Sequence, residues 1–500
     1  MRRVLAPLIA CSALLATPAA AVASAAPLSI TATPGLTPAF STATSDYWLN
    51  CPSGTVSLAV VAPKTTKVSI AGKKAATGTF TATVPLTAGK EFKWTVAVKT
   101  GFKTKTTTHY ARCTPADMPI PTATRTGPTA ASFYLLNPGL PASTIGKGSY
   151  TMLVDGNGVP VWWRTSTIGP LNPTVIDSTT IASFVPTSLN QLGDFSFGRW
   201  LFWNFNGQLI GRFNAPTIGM DPHELVKLPN GHFMTVSYEP ISPIDLSGVG
   251  GPAQSTGYRA LVREISADGT VYWSWHANDW ISPSELVPWV QQLIHANTRN
   301  TLINGYPAFD LDHVSAISPD DDGFVFSFRH LDAIYQVSKA TGEILWKIGG
   351  SRTPQSLDVI GDPVGGDHPL GAPHDVRVLP DGTVSVLDDG LGWARNPRVV
   401  RYRIDTVAKT ATVVSIFNLS GIHGSNCCGS ARLLNNGNWV ISWGANNSVT
   451  ETNATGNPLL TLTLPKGMPS YRAQPITDPK ITAAYLRSAM DKSLTAVPAS

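Results

Sequence analysis

Three histidines occupy the same place in a repeated sequence pattern. His223, His313 and His374 each stand just before a predicted strand that leads into a glycine-containing hairpin turn. That glycine follows eight residues after His223 and His374, and ten residues after His313. A single histidine before a strand is usually structural. Three in register predict that the imidazoles face one common pocket.

An arginine is predicted to lie beside these rings. The second strand of an antiparallel hairpin returns to the end where the first began, so Arg329, which follows Phe324–Phe328, should lie next to His313. A guanidinium offers a rigid fork of donors that matches a tetrahedral group with several oxygens. The pattern therefore predicts an oxyanion site, with pairing of Arg329 to a carboxylate such as Asp312 as the alternative.

In the other two hairpins, the second strand is likewise predicted to return polar residues to the histidine that precedes the first strand. Asp388 and Asp389 should lie beside His374, where either could bond the ring nitrogen, and Tyr238 should lie near His223. Four further histidines are predicted to be structural or peripheral: His276, His330, His368 and His423. No residues have the spacing of metal ligands, so neither a metal nor another cofactor is expected.

The residues above belong to a unit of roughly 40 to 50 residues that recurs along the chain. Each unit has a strand, an Asn-Gly or Asp-Gly turn of the kind found in type I′ hairpins, a second strand, and a further strand pair that often ends in tryptophan. Six units are predicted to begin near Ser132, Asn172, Asp221, Asp312, Pro373 and Ile422. Four-stranded units at this period predict a six-bladed β-propeller over residues 131–476.

An insertion between the third and fourth units could cover one face of the propeller. It spans residues 276–310 and contains the clearest helical pattern of the chain, Pro283–Ile294, which is predicted as one helix. Long insertions of this kind often form a lid or a wall of a substrate site.

The N-terminal part of the chain is predicted to be a separate domain. Alternating β-branched and polar residues over residues 27–115 indicate a small antiparallel β-sandwich, which resembles the cadherin- or immunoglobulin-like modules of secreted enzymes. A linker rich in proline and threonine is predicted at residues 116–130, and a C-terminal tail at residues 477–500. The fold class is therefore all-β.

The N-terminus has the three parts of a secretory signal. Arg2 and Arg3 precede an apolar run, and Ala23–Ala25 supplies a cleavage site, which predicts a signal peptide over residues 1–25. A lipoprotein box at Leu8–Cys11 and a twin-arginine signal are the alternatives. No later stretch reaches the roughly 18 apolar residues of a membrane span. The expected location is secreted or periplasmic.

Four cysteines remain beyond the predicted signal peptide, and an even number favours pairing in an oxidising compartment. Cys51 and Cys113 bracket most of the predicted sandwich and are expected to form a disulfide. Cys427 and Cys428 are adjacent, and they could form a vicinal disulfide or remain two thiols. A rigid loop element is the favoured role for this second pair.

Charge is distributed unevenly along the chain. The net charge is +5, but residues 27–115 contain ten Lys/Arg against Asp46 and Glu91, which gives this segment +8. A solvated basic face is the ordinary explanation. Contact with anionic polymers of the cell envelope is the alternative. Nucleic acid is not an expected partner outside the cell.

Three segments around the middle histidine resemble a known family. Asp312–Ser315, Phe326–Tyr335 and Thr341–Gly350 look like the central signature of the aryl-sulfate sulfotransferases, which are secreted propeller enzymes. Pro373–Asp375 is similar to the segment that holds the sulfated histidine of that family, and Pro222–Gly231 resembles the segment of its first catalytic histidine. The resemblance extends over about residues 130–475.

The resemblance implies sulfuryl transfer from a phenolic sulfate ester to a phenolic acceptor, without a nucleotide sulfate donor. His374 would become a sulfohistidine, with its tautomer fixed by Asp388 or Asp389. Arg329 and His313 would bind the sulfuryl oxygens.

Further roles follow from the same resemblance. His223 would protonate the leaving phenolate and later deprotonate the acceptor, and Tyr238 would help to orient the substrate. Ser315 departs from the family, which commonly has asparagine there, and the first two units match poorly, so substrate choice stays open. The alternatives are a non-catalytic propeller that binds anionic glycans, and an aryl sulfate hydrolase in which water discharges the sulfohistidine.

Overall fold

A computed structural model describes residues 27–51, 54–139, 149–166, 171–189, 196–213, 219–297, 300–365 and 367–493. The predicted signal peptide lies outside these residues. Across the described ranges the protein is all-β, with eight sheets. Two α-helices span Pro288–Ala296 and Ala483–Ser493, and 3-10 helices span Ser247–Val249, Ala277–Asp279, Pro283–Glu285 and Arg329–Leu331. Neither described α-helix has the length and apolarity needed to cross a membrane.

Two N-terminal sheets share one hydrophobic core. The first contains Ser29–Thr33, Thr55–Ala62 and Gly78–Pro85. The second contains Asp46–Asn50, Lys103–Thr114, Glu91–Thr100 and Thr66–Ile70. Alternate side chains of Thr55–Ala62 are buried because successive residues of a strand point to opposite faces.

The expectation of purely antiparallel pairing is wrong for one strand of these sheets. Asp46–Asn50 runs parallel to Lys103–Thr114, so the end of the first strand lies beside Cys113. Cys51, the next residue, reaches Cys113 and forms the predicted disulfide.

Six further sheets follow along the chain, which we number 1 to 6. Sheet 1 contains Phe133–Leu136, Ser149–Val154, Pro160–Ser166 and Gln474–Ile476, and sheet 2 contains Leu171–Asp177, Thr180–Leu189, Ser196–Asn204 and Leu209–Arg212. Sheet 3 contains Leu225–Lys227, Phe233–Ile244, Ser255–Ile265, Val271–His276, Leu302–Ile303 and Tyr306–Asp310. Sheet 4 contains Val314–Asp320, Gly323–Phe328, Ala333–Ser338 and Ile344–Gly349.

Sheet 5 contains Asp358–Ile360, His374–Val378, Val384–Asp388, Arg398–Asp405 and Thr410–Phe417, and sheet 6 contains Thr122–Arg125, Ser430–Leu433, Trp439–Ser442, Ser448–Thr452 and Pro458–Thr463. The first five sheets begin close to the predicted unit starts. Sheet 6 begins at Ser430 rather than near Ile422, because the loop with Cys427 and Cys428 comes first. Apolar side chains fill the spaces between neighbouring sheets, as Ala316 of sheet 4 and Val386 of sheet 5 do in one shared cluster.

Both ends of this six-sheet region pair with distant strands. Thr122–Arg125, from the predicted linker, adds an edge strand to sheet 6, and Gln474–Ile476 adds one to sheet 1. The predicted tail also contains an ordered helix, Ala483–Ser493. Its Arg487 and Asp491 form ion pairs with the N-terminal sheets, at 2.6 Å to Asp46 and 2.8 Å to Arg112.

The expectation of type I′ hairpins is wrong. In the turn at Asn230-Gly231, only the glycine has positive φ, and its N–H donates to Leu228 O at 3.0 Å. The turns at Gly382 and Gly437 have the same form. A type I turn followed by a left-handed glycine is the usual three-residue hairpin loop, and it also requires Gly. Gly323 differs, since it already belongs to a strand.

The predicted insertion helix is divided in two. Pro283–Glu285 forms a 3-10 turn capped by Ser282, and the α-helix begins only at Pro288. Val287 is extended because the residue before a proline disfavours helical geometry. Pro288 then suits the first helical position.

Candidate active site

The three histidines in register lie at the starts of inner strands. His374 begins its strand in sheet 5, His313 immediately precedes Val314–Asp320, and His223 lies two residues before Leu225–Lys227. All three are buried. The predicted hairpin return is observed, since Arg329 N donates to His313 O at 2.9 Å.

Each of these imidazoles faces a carboxylate with its Nδ1 atom. The pairs are His223 with Asp221, His313 with Asp310 at 2.5 Å, and His374 with Asp389 at 3.2 Å. The carboxylates of Asp221 and Asp310 accept from Nδ1 of His223 and His313. Nδ1 of His374 donates instead to Ala372 O at 3.0 Å, with Asp389 nearby. In the neutral rings Nδ1 therefore carries the proton and Nε2 keeps its lone pair. This shared arrangement fixes the same tautomer at three positions.

The rings lie close to one another. His313 is at the centre, with its ring centroid 4.7 Å from that of His223 and 4.8 Å from that of His330. Burial lowers the pKa of His313 well below its usual range, and the charges of His223, Arg329 and His374 lower it further. His313 is therefore neutral at physiological pH, with its N–H on Asp310 and Nε2 able to accept a hydrogen bond.

His330, expected to be structural or peripheral, belongs to this cluster. A 3-10 turn at Arg329–Leu331 turns it back toward His313, and burial lowers the pKa of His330 to about 3. Its Nε2 lies 2.9 Å from Nη1 of Arg329, and its Nδ1 lies 3.0 Å from Asp310 O. Because a guanidinium only donates, Nε2 accepts and Nδ1 carries the proton. In the sequence, the one sign that His330 belongs to the cluster is that it directly follows Arg329.

Arg329 is held by three contacts that orient its plane. Besides the bond to His330, Nη2 donates to Asn426 O at 2.8 Å, and the guanidinium carbon lies 5.0 Å from the Trp289 ring centre. Trp289 comes from the insertion helix, which therefore contributes to the site. The alternative partner, Asp312, instead pairs with Arg259 at 2.9 Å.

Of the two candidate aspartates, Asp389 and not Asp388 faces His374. Asp388 accepts hydrogen bonds from Arg395 and Arg398 and from the backbone N–H groups of Gly371 and Gly390. It therefore links the segments that carry these residues. Its role is structural support.

Tyr238 lies behind the cluster. Its hydroxyl donates to Val314 O at 3.2 Å, and its ring centroid is 6.3 Å from that of His313. Burial raises the pKa of Tyr238 well above its usual range. The neutral side chain of Tyr238 packs against His313. This position fits a role in supporting the His313 ring better than a role in direct contact with a substrate.

A second set of charges lies next to the histidines, and we call it the central ion-pair cluster. It consists of the buried carboxylates of Glu224 and Asp375 and the partly buried guanidinium groups of Arg377, Arg432 and Arg472. Glu224 contacts Arg377 at 2.8 Å and Arg472 at 2.9 Å. Asp375 contacts Arg377 and Arg432, both at 2.6 Å. These bonds join the segments around sheets 3, 5 and 6. Sequence reasoning missed the cluster, although acidic residues directly follow His223 and His374.

Loss of one carboxylate from this cluster should destabilise the protein. Burial alone would raise the pKa of Glu224, but Arg377 and Arg472 lower it to about 2. Its contribution to the free energy of unfolding is therefore complete above its unfolded pKa of about 4.5 and is lost as pH falls toward 2. We expect Glu224→Gln to cost about 3–5 kcal/mol at pH 7, because the arginines lose a buried partner.

Thermal unfolding at pH 7 and pH 3 tests this expectation. The difference between Glu224→Gln and the native chain should shrink at pH 3. The matched control is Asp358→Asn, because the pair of Asp358 with Arg352 is exposed and should contribute little. An equal difference at both pH values would contradict the role of Glu224.

Several residues at the site adopt an unusual backbone conformation. His313, Ala372, Asp375 and Cys428 have φ values of +50°, +50°, +53° and +75°. Non-glycine residues at positive φ are uncommon, and they concentrate at functional sites, where the surrounding structure holds them. Cys428 forms a disulfide with Cys427, one of the two states left open by the sequence.

A cavity of about 540 Å³ borders the site. Asp389, the partner of His374, and Asn426, the partner of Arg329, both line it. The remaining lining residues are Gly390, Leu391, Gly392, Ala394, Arg395, Asn396, Gly424 and Ser425. The cavity therefore adjoins the candidate site on the side of these two partner residues.

Among the described residues, one group could share a metal ion. Nitrogen and oxygen atoms of Asp310, His313 and His330 lie within 4.8 Å of one another. Asp310 Oδ2 is only 2.5 Å from His313 Nδ1, which is a hydrogen-bond distance. Burial raises the pKa of Asp310 to about 6. The group is arranged as a hydrogen-bonded cluster.

Comparison with known structures gives likenesses of low identity. A protein of unknown function from Bacteroides caccae is 12% identical, with a TM-score of 0.42, and the match covers 70% of this chain and 100% of that one. AztD from Citrobacter koseri is 12% identical, with a TM-score of 0.34 and coverage of 69% and 98%. A streptogramin B lyase is 12% identical, with a TM-score of 0.30 and coverage of 69% and 87%.

No curated protein matches the sequence. The profile of one protein family does, over residues 121–474, a range that contains the six sheets except the end of the strand Gln474–Ile476, and every residue of the histidine cluster. The chain belongs to the arylsulfotransferase family.

Proposed function

We propose that this protein transfers a sulfuryl group from a phenolic sulfate ester to a phenolic acceptor through a sulfohistidine at His374, without a nucleotide sulfate donor. Family membership supports sulfuryl transfer in general. The feature that favours this mechanism most is the set of three imidazoles, each with Nδ1 near a carboxylate, beside the fork of Arg329.

In the first half-reaction the Nε2 lone pair of His374 attacks sulfur and forms an N–S bond. The bond between sulfur and the aryl oxygen breaks, and its electron pair leaves with the phenolate oxygen. His223 enters this step as an imidazolium, protonated on both Nδ1 and Nε2, and gives its Nε2 proton to the phenolate. Arg329 donates to the sulfuryl oxygens, where negative charge resides. Neutral His313 has its single N–H on Asp310, so it supports the neighbouring ring of His223 and does not donate to the sulfuryl group. Asp389 balances the positive charge of the sulfonated imidazole.

In the second half-reaction a phenol replaces the departed product. His223 takes the proton of its hydroxyl, the phenol oxygen attacks sulfur, and the N–S bond breaks. The electron pair returns to Nε2 of His374, so the enzyme is regenerated. His223 thus serves as acid and then as base, and such assistance contributes about 10²–10⁴ in rate.

The cavity bordered by Asp389 and Asn426 is the proposed site for the aryl groups. Its volume of about 540 Å³ suits a phenol-sized ligand. Trp289 covers Arg329 from one side, which would limit water at the sulfuryl group. Exclusion of water favours transfer over hydrolysis.

We further propose that the six sheets are the blades of a propeller, that the N-terminal sheets form a separate sandwich, and that the protein is exported. The pairing of Thr122–Arg125 with sheet 6 and of Gln474–Ile476 with sheet 1 supports closure of a ring. Two disulfides support folding in an oxidising compartment.

Contact of the N-terminal domain with anionic envelope polymers is a testable part of this proposal. Phe102 is fully exposed at a hairpin tip, flanked by exposed Lys99, Lys103 and Lys105. We expect replacement of these lysines by Gln to lower the salt concentration needed for elution from a polyphosphate resin, because screened charge attraction drives retention. Transfer activity should not change.

A charge-matched triple variant serves as the control for this retention experiment. Its exposed lysines lie outside the N-terminal sheets: Lys409, Lys466 and Lys480. Equal loss of retention in both triple variants would show net charge, and not this hairpin, to be responsible.

The activity itself is tested with a chromogenic aryl sulfate and a phenol acceptor. Beyond a first stoichiometric burst, we expect phenol release to require the acceptor and the sulfated acceptor to accumulate in equal amount. Continued turnover without an acceptor would identify a hydrolase. Tight binding of the aryl sulfate without release would identify a binding module.

A further inference from the structure

The nucleophilic atom of His374 has a backbone partner that the proposed mechanism has not used. Cys428 N lies 3.2 Å from His374 Nε2 in a buried contact. A backbone amide can only donate, so Nε2 must be the acceptor and cannot carry a proton. On the opposite side, Nδ1 faces Ala372 O at 3.0 Å and Asp389 at 3.2 Å, which are both acceptors. The ring is therefore held from both sides in one tautomer.

Cys428 lies in the loop that leads into sheet 6, which has no histidine at the position that sheets 3, 4 and 5 use. Gly429 stands at that position, immediately before the strand Ser430–Leu433. The segment that leads into sheet 6 thus contributes a backbone donor where those of sheets 3, 4 and 5 contribute imidazoles. The donor is buried, with Cys428 only 4% exposed.

The loop that carries this amide is fixed by several bonds. Cys427 and Cys428 form the vicinal disulfide, and Cys428 has a φ of +75°. Ser425 Oγ donates to Cys427 O at 2.8 Å, and Gly429 N donates to Tyr471 O at 2.8 Å. Gly429 has no space for a side chain, because a Cβ atom would clash with Leu387. The disulfide ring and these bonds hold the amide in place. Without them, the loop would not keep the amide at this position.

We propose that the Cys428 amide is a catalytic donor of the sulfuryl-transfer site and that the Cys427–Cys428 disulfide is its positioning element. Before attack, the N–H holds Nε2 in its unprotonated form. When Nε2 bonds to sulfur, its lone pair is consumed, so the N–H loses this acceptor and donates instead to a sulfuryl oxygen of the bound group. The amide then acts as an oxyanion donor beside Arg329.

This inference rests on the proposed function, and the two can fail separately. The central variant is Cys427→Ser with Cys428→Ser, which removes the disulfide and keeps the amide. The matched control is Cys51→Ser with Cys113→Ser, which removes the disulfide of the N-terminal sheets. Both variants are compared with the native chain for the rate of the phenol burst in a single turnover, and for the tautomer of His374 by ¹⁵N NMR of histidine-labelled protein.

We expect the burst of the central variant to be roughly 10- to 100-fold slower, because misplacement of a donor by about 1 Å has an effect of this size. His374 should change from one tautomer to a mixture, a signal that a merely structural disulfide would not alter. The control variant should keep the native burst rate and tautomer. A native burst rate and a single tautomer in the central variant would overturn the inference, and so would a faster burst.

A second variant covers the case in which the double serine variant does not fold. Ser425→Ala removes the bond to Cys427 O and keeps both cysteines. It should slow the burst in the same direction by a smaller factor, and unchanged kinetics together with an unchanged tautomer would count against the inference. If the native chain itself gives no burst, the proposed function fails. A burst in the native chain with no effect in either variant removes only the role of Cys428.

Discussion

Replacement of His374 by Asn is expected to abolish sulfuryl transfer, with a loss of about 10⁴-fold or more. The imidazole supplies the lone pair that forms the N–S bond, and it lies between Asp389 on one side and the Cys428 amide on the other. An amide side chain keeps similar volume and hydrogen-bonding capacity, so the fold should be retained. Phenol release from a chromogenic aryl sulfate measures the loss.

A histidine with the same kind of partner provides the control for this experiment. His276 Nδ1 lies 2.7 Å from Glu239, but His276 is outside the cluster and partly exposed. His276→Asn should leave the transfer rate within a small factor of native. If His374→Asn retained native activity, the sulfohistidine route would be excluded for this protein.

Replacement of Arg329 by Lys is expected to slow transfer by about 10²–10³-fold. A lysine keeps the positive charge but has a single ammonium group, which cannot meet His330, Asn426 and the sulfuryl oxygens in one plane. The loss should appear in kcat more than in KM, because the fork is aligned to oxygens whose charge develops during transfer. Initial rates over a range of aryl sulfate concentrations separate the two constants.

Arg401→Lys is the matched control for the guanidinium. Arg401 pairs with Asp381 at a hairpin turn of sheet 5, away from the histidines. Its replacement should change neither kcat nor KM appreciably. An Arg329→Lys variant with native kcat would show that charge alone, without the fork, is sufficient.

Local patterns in the sequence predicted the features that depend on strand period and hairpin return. The register of His223, His313 and His374 and the position of Arg329 beside His313 follow from these rules alone. The interruption of the insertion helix was also visible in principle, since Pro288 follows a residue that it forces to be extended.

Contacts between distant parts of the chain could not be predicted in this way. Glu224 and Arg472 are separated by 248 residues, and His374 and Cys428 by 54. No periodicity links such positions, because only the arrangement of the sheets brings them together. The choice of Asp389 over Asp388 was equally hidden, since the strand ends at Asp388 and the alternation of a strand does not set the direction of Asp389 beyond it.

The covalent intermediate can be detected directly. The native protein is mixed briefly with an aryl sulfate in the absence of an acceptor and quenched under conditions that preserve N-sulfonated histidine. The peptide that contains His374 is then analysed by mass spectrometry. We predict one added SO₃ group on His374, which disappears when a phenol is supplied. An unmodified His374 peptide in a sample that has released phenol in a burst would contradict the mechanism.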